Sequence, residues 1–406
     1  MKQQILFLLP KRPCPAKKHT PAAGVIWFFG ILFLIAGQLS AQPVISFTPL
    51  IKTIPSASLP KEVLCQKANN NLDVIIYKHR YYIAFRTAPS HFASRHTCLF
   101  VMSSEDAQKW TYETKISIGS DIREPRFLVF KHKLFLYYFE GGKNPLKFQP
   151  KKCWVCTVDS GKWKSTCIPE LSNFIPWNVK LHNGKAYLSA YYGKGLYKLN
   201  HQAELRLFTT DDGFRWRPIS KDPQCALKGA EEGEFEFDKA GNLWATIRLE
   251  GGGALIAFAD KDSLGNWHFT HTGNKYDSAL LFAQGDEIYL ISRINMDGEA
   301  DKAPQWLPLW FRQRYNLVRY SLTQKKTALF RLDRTAKRMV HLFDFPSTGD
   351  NAFPRIVAYS RNSFLLFNYS SDINRKPINW LRGQLGKTFI YKTELIFSND
   401  EASVRH

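Results

Sequence analysis

A strand–turn–strand pattern occurs six times along the chain and constrains its fold more than any other feature. In the first copy, the polar turn Lys78-His79-Arg80 precedes the apolar and aromatic strand Tyr81-Tyr82-Ile83-Ala84-Phe85. The other five turns are Lys131-His132-Lys133, His182-Asn183-Gly184, Lys239-Ala240-Gly241, Gln284-Gly285-Asp286 and Ser360-Arg361-Asn362. They follow one another at roughly 50-residue intervals, and strand repeats of this length, each too small to bury its own faces, predict a β-propeller. An insertion around residues 297–315 lengthens the last interval.

A second repeat has nearly the same period. The segments Asp106-x-x-x-Trp110, Asp159-x-x-x-Trp163 and Asp212-x-x-x-Trp216 are 53 residues apart, and a looser Asp262…Trp267 follows them. We expect the Asp to accept backbone N–H bonds in a tight turn and the Trp to fill the gap between neighbouring sheets. The two repeats together predict an all-β, six-bladed propeller over residues 61–396, with five blades as the alternative and without an amphipathic helix of three turns.

The first 41 residues have the pattern of a signal peptide. Lys17-Lys18 precede an uncharged, mostly apolar run at 21–37, and Leu39-Ser40-Ala41 resembles a signal-peptidase site. The basic stretch before the run is long, so an uncleaved N-terminal anchor is the alternative and the only membrane attachment that we predict. We therefore expect an exported protein with a linker at 42–60 and a C-terminal tail at 397–406.

Removal of the signal peptide leaves six cysteines, which are Cys65, Cys98, Cys153, Cys156, Cys167 and Cys225. An even number in an exported chain predicts up to three disulfides. Cys153-Trp-Val-Cys156 has the spacing of a zinc or redox half-site, but neither a second CxxC nor a His pair accompanies it. We therefore predict structural thiols or disulfides, and neither a metal nor another cofactor.

Composition and charge narrow the class of partner. With 44% apolar, 14% aromatic and 22% charged residues, the sequence is not that of a disordered, collagenous or coiled-coil protein. Its net charge of +21 favours an anionic partner, which is an acidic glycan, nucleic acid or a membrane surface, among which charge alone does not choose. Export and the spread of Lys and Arg over many turns argue against nucleic acid, so we expect an acidic glycan or glycoside.

Aligned on their turns, the six hairpins place two sets of residues at one mouth of the channel, because the strands of a hairpin are antiparallel. The second strands end in Arg86, Phe139, Tyr191, Arg248, Arg293 and Tyr369, and the first strands open with Asn71, Glu124, Ile175, Glu232, Asp277 and Phe353. Three converging guanidinium groups repel one another unless an anion lies among them. Their forked donors suit a carboxylate, so the pattern predicts a carboxylate-binding pocket on the axis.

These residues resemble the sialidase (neuraminidase) superfamily, whose members are six-bladed propellers with Asp-box turns. Phe85-Arg86-Thr87-Ala88-Pro89 is similar to the family's first-blade Phe/Tyr-Arg-Ile-Pro motif, with one extra residue. Glu232, Ala240-Gly241-Asn242-Leu243 and Arg248 match the family's Glu, Asp-Gly-x-Leu turn and second arginine in spacing. The resemblance covers about residues 60–395, and the order of the blades is more specific than any single motif.

The resemblance implies a role for each of these residues. Arg86, Arg248 and Arg293 would hold the substrate carboxylate, Tyr369 would attack the anomeric carbon, and Glu232 would take the phenol proton. The family's acid/base Asp is absent from the loop Ser90–Thr97, so His91, Asp121 and Glu124 are alternatives for the acid. Arg123 would contribute to binding or neutralise these carboxylates, and Asp277 and Tyr191 would complete the pocket.

We therefore expect an exported, sialidase-like glycoside hydrolase that acts on an acidic sugar with retention of configuration, without a metal. The alternative is a non-catalytic propeller that binds anionic glycans or another surface partner, because propellers have many functions. The insertion, with Trp306, Trp310 and Phe311, is a candidate flap over the pocket, and packing between blades is the alternative.

Overall fold

The computed structural model describes residues 43–145, 148–192, 203–304 and 306–398. The predicted signal peptide therefore lies outside the described residues, as does most of the predicted tail. Within the described ranges, none of the helices has the length and apolar character needed to span a bilayer.

The described residues form six antiparallel sheets of four or five strands, which are the blades of a propeller. Before the first complete blade come β1 (Val44–Phe47) and β2 (Ile51–Ile54). The first blade has β3 (Ala68–Tyr77), β4 (Arg80–Ala88), β5 (Cys98–Ser104) and β6 (Thr111–Ile116), and the second has β7 (Asp121–Phe130), β8 (Lys133–Gly142), β9 (Cys153–Asp159) and β10 (Lys162–Ile168). The third has β11 (Phe174–His182), β12 (Lys185–Tyr192), β13 (Leu205–Thr210) and β14 (Arg217–Pro218), and the fourth has β15 (Ala230–Phe237), β16 (Leu243–Leu249), β17 (Ala254–Ala259) and β18 (His268–Thr272). The fifth has β19 (Asp277–Gln284), β20 (Glu287–Asn295), β21 (Lys325–Asp333) and β22 (Arg338–Phe345), and the sixth has β23 (Ala352–Ser360), β24 (Ser363–Ser371) and β25 (Thr388–Ser398).

The six predicted hairpins are the first two strands of the six blades, so the six-bladed prediction is confirmed. Their turns are polar because they lie at the propeller surface, and the strands after them are buried between neighbouring blades. A five-bladed ring is excluded by the six separate sheets.

The last blade is completed by β1 and β2, the first two strands of the described residues. β1 pairs with β25 from Val44 opposite Ser398 to Phe47 opposite Leu395, and β2 pairs with the other half of β25. The segment 42–60 is therefore not merely a linker, as predicted, since it supplies strands to the sixth blade. The prediction was wrong because two four-residue strands are too short to show an alternating pattern.

The Asp-x-x-x-Trp segments lie between the third and fourth strands of their blades. Asp106 Oδ1 accepts the N–H groups of Gln108 and Lys109 at 2.8 Å, and these bonds lower the pKa of Asp106 to about 2. Trp110 is buried edge-on against Phe367 of the sixth blade, which is the predicted inter-sheet position.

The third turn repeats this geometry but the second does not. Asp212 Oδ1 accepts the N–H groups of Phe214 and Arg215 at 2.8 Å. Asp159 instead pairs with Lys164 at 2.7 Å across its own hairpin, so sequence spacing alone overstated the uniformity of these turns.

Two helices interrupt the repeat: α1 (Leu309–Leu322) in the fifth blade and α2 (Trp380–Leu385) in the sixth. A 3₁₀ turn, Pro169–Leu171, joins β10 to β11. α1 has 14 residues, so the expectation that the chain lacks a helix of three turns was wrong. The helix escaped detection because its apolar residues face outward and its buried residues include Asn316, which reverses the usual pattern.

A ring of buried polar side chains fills the channel between the blades. It consists of Asp73, Arg126, Asn178, Glu234 and Arg355, from the first strands of five blades. Arg355 pairs with Asp73 at 3.3 Å, and Asn178 donates to Glu234 at 2.6 Å. The carboxylates also accept N–H groups of the following blade, from Phe127 at 2.6 Å and Leu281 at 3.2 Å. These bonds join the blades at the axis.

Candidate active site

The first strand of every blade carries a register shift near the channel mouth, and this irregularity builds the site. The shifts lie at Asn70/Leu72, Arg123/Arg126, Pro176/Asn178, Glu231/Glu234, Asp277/Leu280 and Ala352/Arg355. Within five of them a residue has positive φ: Asn71 (41°), Glu124 (52°), Glu232 (51°), Ser278 (48°) and Phe353 (66°). A bulge re-aims side chains, and all five of these residues, with Trp177 of the third blade, line one cavity.

The cavity has a volume of about 390 Å³, within the range of small-molecule sites. Most of the predicted site residues line it: His91, Arg123, Glu124, Tyr191, Glu232, Arg248, Asp277, Arg293 and Tyr369. Arg86 and Asp121 are not part of its wall. The propeller thus brings together residues from all six blades, as the alignment of hairpins predicted. Among the predicted site residues, Arg86 and Asp121 are the two exceptions.

Arg86 is the first exception, because it is fully buried and its donors are already used. Its Nη2 and Nε lie 2.8 and 3.1 Å from Asp121 Oδ1, and its Nη1 donates to Asn70 at 3.1 Å. It also donates to the carbonyls of the loop that carries His91. The Arg86 guanidinium therefore holds this loop and does not line the cavity, which departs from the substrate-binding position predicted for it.

Asp121 is the second exception, because it does not line the cavity and its surroundings favour the ionised carboxylate. Its side chain is fully buried between Arg86 and Arg123 and accepts a bond from Thr97 at 2.8 Å. Burial favours the protonated form, but the two guanidinium groups outweigh it and lower the pKa of Asp121. A carboxylate that is ionised and away from the cavity cannot protonate a leaving group.

Arg123 occupies the wall where Arg86 was expected. Its Nη2 donates to the carbonyl of His91 at 2.6 Å, and its guanidinium lies 5.3 Å from the centre of the Phe148 ring. Arg123 and Phe148 both line the cavity. The neutralising role predicted for Arg123 is observed, because its Nε also pairs with Asp121.

Arg248 lies on the wall but is surrounded by the protein's own carboxylates. Its Nη1 is 2.6 Å from Glu232, and its Nη2 contacts Glu231 and lies 3.2 Å from Glu250. Its Nε is 3.8 Å from Asp277, and Lys275 lies 3.5 Å from Glu250. Sequence reasoning missed Glu231, Glu250 and Lys275, which flank the aligned positions in the chain. Four carboxylates against two cations leave Arg248 little capacity to bind another anion.

Arg293 is the cation with the most unused capacity. It is 3% exposed, lines the cavity and donates from Nη2 to Ser278 Oγ at 2.6 Å. Its Nε lacks a hydrogen-bond partner, and no carboxylate of the described residues forms an ion pair with it. Burial opposes its charge, but neighbouring Tyr320, Tyr369 and Asp277 outweigh that effect and raise the pKa of Arg293. A buried donor without a partner is costly, so this group is suited to a ligand anion.

The phenol of Tyr369 is bonded to Asp350, a residue that sequence reasoning did not single out. Tyr369 Oη donates to Asp350 Oδ1 at 3.1 Å, and His91 Nδ1 lies 2.7 Å from Asp350 Oδ2. The predicted acceptor, Glu232, instead bonds Arg248 and the N–H of Ser278. Asp350, and not Glu232, is therefore the carboxylate hydrogen-bonded to the phenol.

The protonation states in this group are set by burial and by Asp350. Burial, and then Asp350, raise the pKa of Tyr369 well above 10, so the phenol is neutral at rest. Burial lowers the pKa of His91 even though Asp350 opposes it, so the imidazole is mainly neutral near pH 7. Burial favours a protonated Asp350, but His91 and Arg293 outweigh it and lower the pKa of Asp350.

Glu124 is a carboxyl group on the cavity wall that is partly protonated near neutral pH. Burial raises its pKa to about 7, with a further contribution from Glu232 and opposition from Arg126. It accepts a bond from Asn71 Nδ2 at 3.2 Å and lies 3.5 Å from Arg126. Of the three predicted acids, Glu124 combines access to the cavity with a pKa suited to proton transfer at pH 7.

The fold was compared with known proteins. No protein-family model matches the sequence, and no curated protein matches it either. Among solved structures, a protein of unknown function from Dyadobacter fermentans aligns with a TM-score of 0.59 and 14% identity, over 87% of this chain and 99% of that one. The phage phi92 endosialidase aligns with a TM-score of 0.56 and 12% identity, over 87% of this chain and 70% of that one. Trypanosoma rangeli sialidase in complex with 2,3-difluorosialic acid aligns with a TM-score of 0.52 and 12% identity, over 80% of this chain and 54% of that one. The chain has a sialidase-like β-propeller fold. At these identities the likeness concerns the fold alone.

Helix α1 of this sialidase-like propeller covers part of the cavity. Leu317, Tyr320 and Ser321 line the cavity, and Tyr320 Oη donates to Asp277. Trp306, Trp310 and Phe311 point to solvent, at 82%, 53% and 43% exposure, so they neither stack in the pocket nor pack between blades. The described residues of the predicted insertion, 297–315, do not themselves line the cavity. The part of α1 that follows the insertion does, and Tyr320 is its aromatic residue in the cavity wall.

The cysteines of the sialidase-like propeller are all free thiols in the structure, so the predicted disulfides are not formed. Burial raises the pKa values of Cys153 and Cys156, which keeps both thiols protonated and unreactive. Cys153 donates to the carbonyl of Phe174 at 3.1 Å. Within the described residues, no group of three or more His, Cys, Asp or Glu side chains has the arrangement of a metal site.

Proposed function

We propose that the cavity hydrolyses glycosides of an acidic sugar, with Tyr369 as the nucleophile and retention of configuration. The observation that supports this most is that three groups share one cavity: a phenol bonded to a carboxylate, a partly protonated Glu124 and an arginine without an ion pair. A neutral phenol approaches a substrate that carries its own carboxylate without the repulsion that a carboxylate nucleophile would meet.

Arg293 holds the substrate carboxylate through its unused donors, and Arg123 adds positive charge from the second blade. Charge-assisted bonds of this kind are short and directional, so they fix the sugar ring relative to Tyr369. Tyr191, Trp177 and Tyr320 provide apolar faces on the same cavity, against which a sugar ring packs.

In the first step, the phenol oxygen bonds to the anomeric carbon while the bond from that carbon to the leaving oxygen breaks. The phenol proton passes to Asp350, and the Glu124 proton passes to the leaving oxygen. In the second step, water attacks the anomeric carbon, Glu124 takes a water proton, and Tyr369 leaves and recovers its proton from Asp350. Both carboxyl groups return to their starting states, so the cycle closes.

The test is turnover of chromogenic glycosides of sialic acid and of a uronic acid by the wild type and by Tyr369→Phe. We expect the variant to lose about 10³-fold or more in kcat, as is typical when a nucleophile is removed. Tyr391→Phe is the matched control, because Tyr391 is equally buried in the same blade but does not line the cavity. Equal, low rates in the wild type and Tyr369→Phe would end the proposal.

A non-catalytic glycan-binding role is the second candidate. It is favoured by the carboxylates around Arg248 and by the low pKa of Asp350, which makes it a weak base for the phenol proton. Binding of an acidic oligosaccharide without product, with an affinity that falls steeply with salt, would support this role instead.

A further inference from the structure

The two helices form a single surface feature beside the cavity, which we call the helical roof and define as α1 and α2. The rings of Tyr320 and Trp380 lie 5.6 Å apart, and the N–H of Trp380 donates to the carbonyl of Thr323 at 3.1 Å. Both helices also line the cavity, α1 through Leu317 and Tyr320 and α2 through Trp380 and Gln384. Whatever binds the outer face of the roof therefore lies next to the cavity mouth.

The polar and apolar faces of α1 are exchanged relative to those of a typical surface helix, because its polar face is buried and its apolar face is exposed. Its buried residues are Asn316 and Tyr320, and Asn316 donates to the carbonyl of Gly251 at 3.2 Å and to Asp301 at 2.8 Å. Its outer face is apolar, with 43–61% exposure of Leu309, Trp310, Phe311, Tyr315, Val318 and Leu322. Phe311, Tyr315, Val318 and Leu322 follow the three- and four-residue spacing of one helix stripe. Polar side chains thus anchor the helix, and its apolar stripe is left without cover.

α2 extends this face and gives it a positive charge. Leu381 and Leu385 are exposed on α2. The exposed charged residues of α1 and α2 are Arg314 and Arg382, and the exposed Lys376 and Lys387 lie on either side of α2. The sequence has no Asp or Glu from Lys302 to Leu332 or from Ile373 to Thr393.

We propose that the helical roof binds the surface of an anionic lipid bilayer. Exposed Trp, Phe and Leu beside Arg and Lys are the pattern of a helix that lies in the membrane interface. The neighbouring acids Asp297 and Asp301 pair with Arg319 and Arg312 of α1, so Arg314 and the basic residues in and beside α2 supply the positive charge. The apolar stripe enters the headgroup boundary, and the cations meet anionic lipid at its edge. Pairing of two roofs about a two-fold axis would instead bring the same cations together, which disfavours a second copy as the occupant.

This orientation also defines the substrate class, a conclusion that rests on the proposed function. With the roof on the bilayer, the cavity mouth lies at the level of lipid headgroups. The substrate is then an acidic sugar carried by a membrane lipid rather than a free oligosaccharide.

The test is co-sedimentation of the full chain with vesicles of phosphatidylcholine, with and without phosphatidylglycerol. We expect binding that requires phosphatidylglycerol and falls with salt, and a loss of at least about ten-fold in Trp310→Ser/Phe311→Ser. Arg314→Gln/Arg382→Gln should weaken binding to the anionic vesicles in particular. Residues 1–42 are identical in all variants, so the differences report on the roof. Val158→Ser/Leu181→Ser is the matched control, because both residues are exposed (46% and 50%) near the ends of β9 and β11 that point away from the cavity.

Equal vesicle binding by Trp310→Ser/Phe311→Ser and the wild type would overturn the proposal. So would absence of vesicle binding together with a dimer, seen by sedimentation velocity, that this variant abolishes. Turnover of a soluble glycoside separates the two proposals, since neither Trp310 nor Phe311 lines the cavity and this rate should not change. Vesicle binding without turnover would refute the proposed hydrolase activity and support the membrane-binding role of the roof. Equal turnover rates on soluble and vesicle-borne substrate would refute the proposal that the substrate is carried by a membrane lipid.

Discussion

Substitution of Arg293 is the perturbation that isolates recognition of the anion. Its guanidinium bonds only to Ser278 Oγ among the described residues and lacks an ion pair, so Arg293→Gln leaves no carboxylate unpaired. Arg248→Gln, in contrast, would leave Glu231 and Glu232 without an ion pair, and Glu250 and Asp277 with Lys275 alone, so it should destabilise the fold. Arg293→Gln should therefore change ligand binding with little change in thermal stability.

The size of the effect follows from the bonds that are lost. Two charge-assisted bonds to a ligand carboxylate contribute about 1.5–3 kcal/mol each, or about 3–6 kcal/mol together. At about 1.4 kcal/mol per ten-fold in Kd, affinity falls by roughly 10²–10⁴-fold.

The assay is isothermal titration calorimetry with sialic acid and with its methyl ester, which lacks the negative charge. The wild type should strongly prefer the acid, and Arg293→Gln should bind the acid and the ester about equally. If the variant kept the wild-type preference for the acid, assignment of the anion site to Arg293 would be refuted.

Three further predictions concern stability and proton transfer. Burial raises the pKa values of Glu124, Glu231 and Glu234 to about 7, so the folded state binds more protons than the unfolded state between about pH 4.5 and 7. The urea midpoint should therefore be lower at pH 7 than at pH 5, and a higher midpoint at pH 7 would contradict these shifts. Asp73→Ala leaves Arg355 unpaired at the axis and should lower the free energy of unfolding by about 3–5 kcal/mol. The control Glu105→Ala removes an exposed ion pair and should lower it by about 1 kcal/mol or less. Similar losses in the two variants would argue against a stabilising role of the axial ring. Glu124→Gln should abolish the alkaline limb of the kcat profile near pH 7, and an unchanged limb would exclude Glu124 as the acid.

The architecture was predictable because turn residues punctuate it at regular intervals. Polar pairs such as Lys78-His79 and Asn183-Gly184 mark the outer end of a hairpin, and the buried strands after them need no special geometry. Residues that close the second strands, such as Arg293 and Tyr369, reach the cavity directly from a regular strand.

The details of the site were not predictable, because they depend on bulges and loops. A bulge within Asp121–Phe130 aims Arg123 and Glu124 at the cavity and leaves Asp121 behind the cavity wall. A shift in strand register of one residue would change which of these side chains face the cavity. Asp350 lies in the segment before β23, outside the aligned hairpins, so the repeat offered no reason to select it. Arg86 occupies a predicted position, but only the packing shows that Asp121 and the neighbouring loop consume its donors.

Trapping of the glycosyl–enzyme intermediate would identify the nucleophile of the proposed reaction. The full chain would be incubated with a 2,3-difluoro derivative of the acidic sugar, digested and analysed by mass spectrometry. We expect an adduct on the peptide that contains Tyr369, absent from Tyr369→Phe and retained in Tyr391→Phe. An adduct on Glu124 or Asp350, or product formation without an adduct and with full activity in Tyr369→Phe, would contradict this expectation.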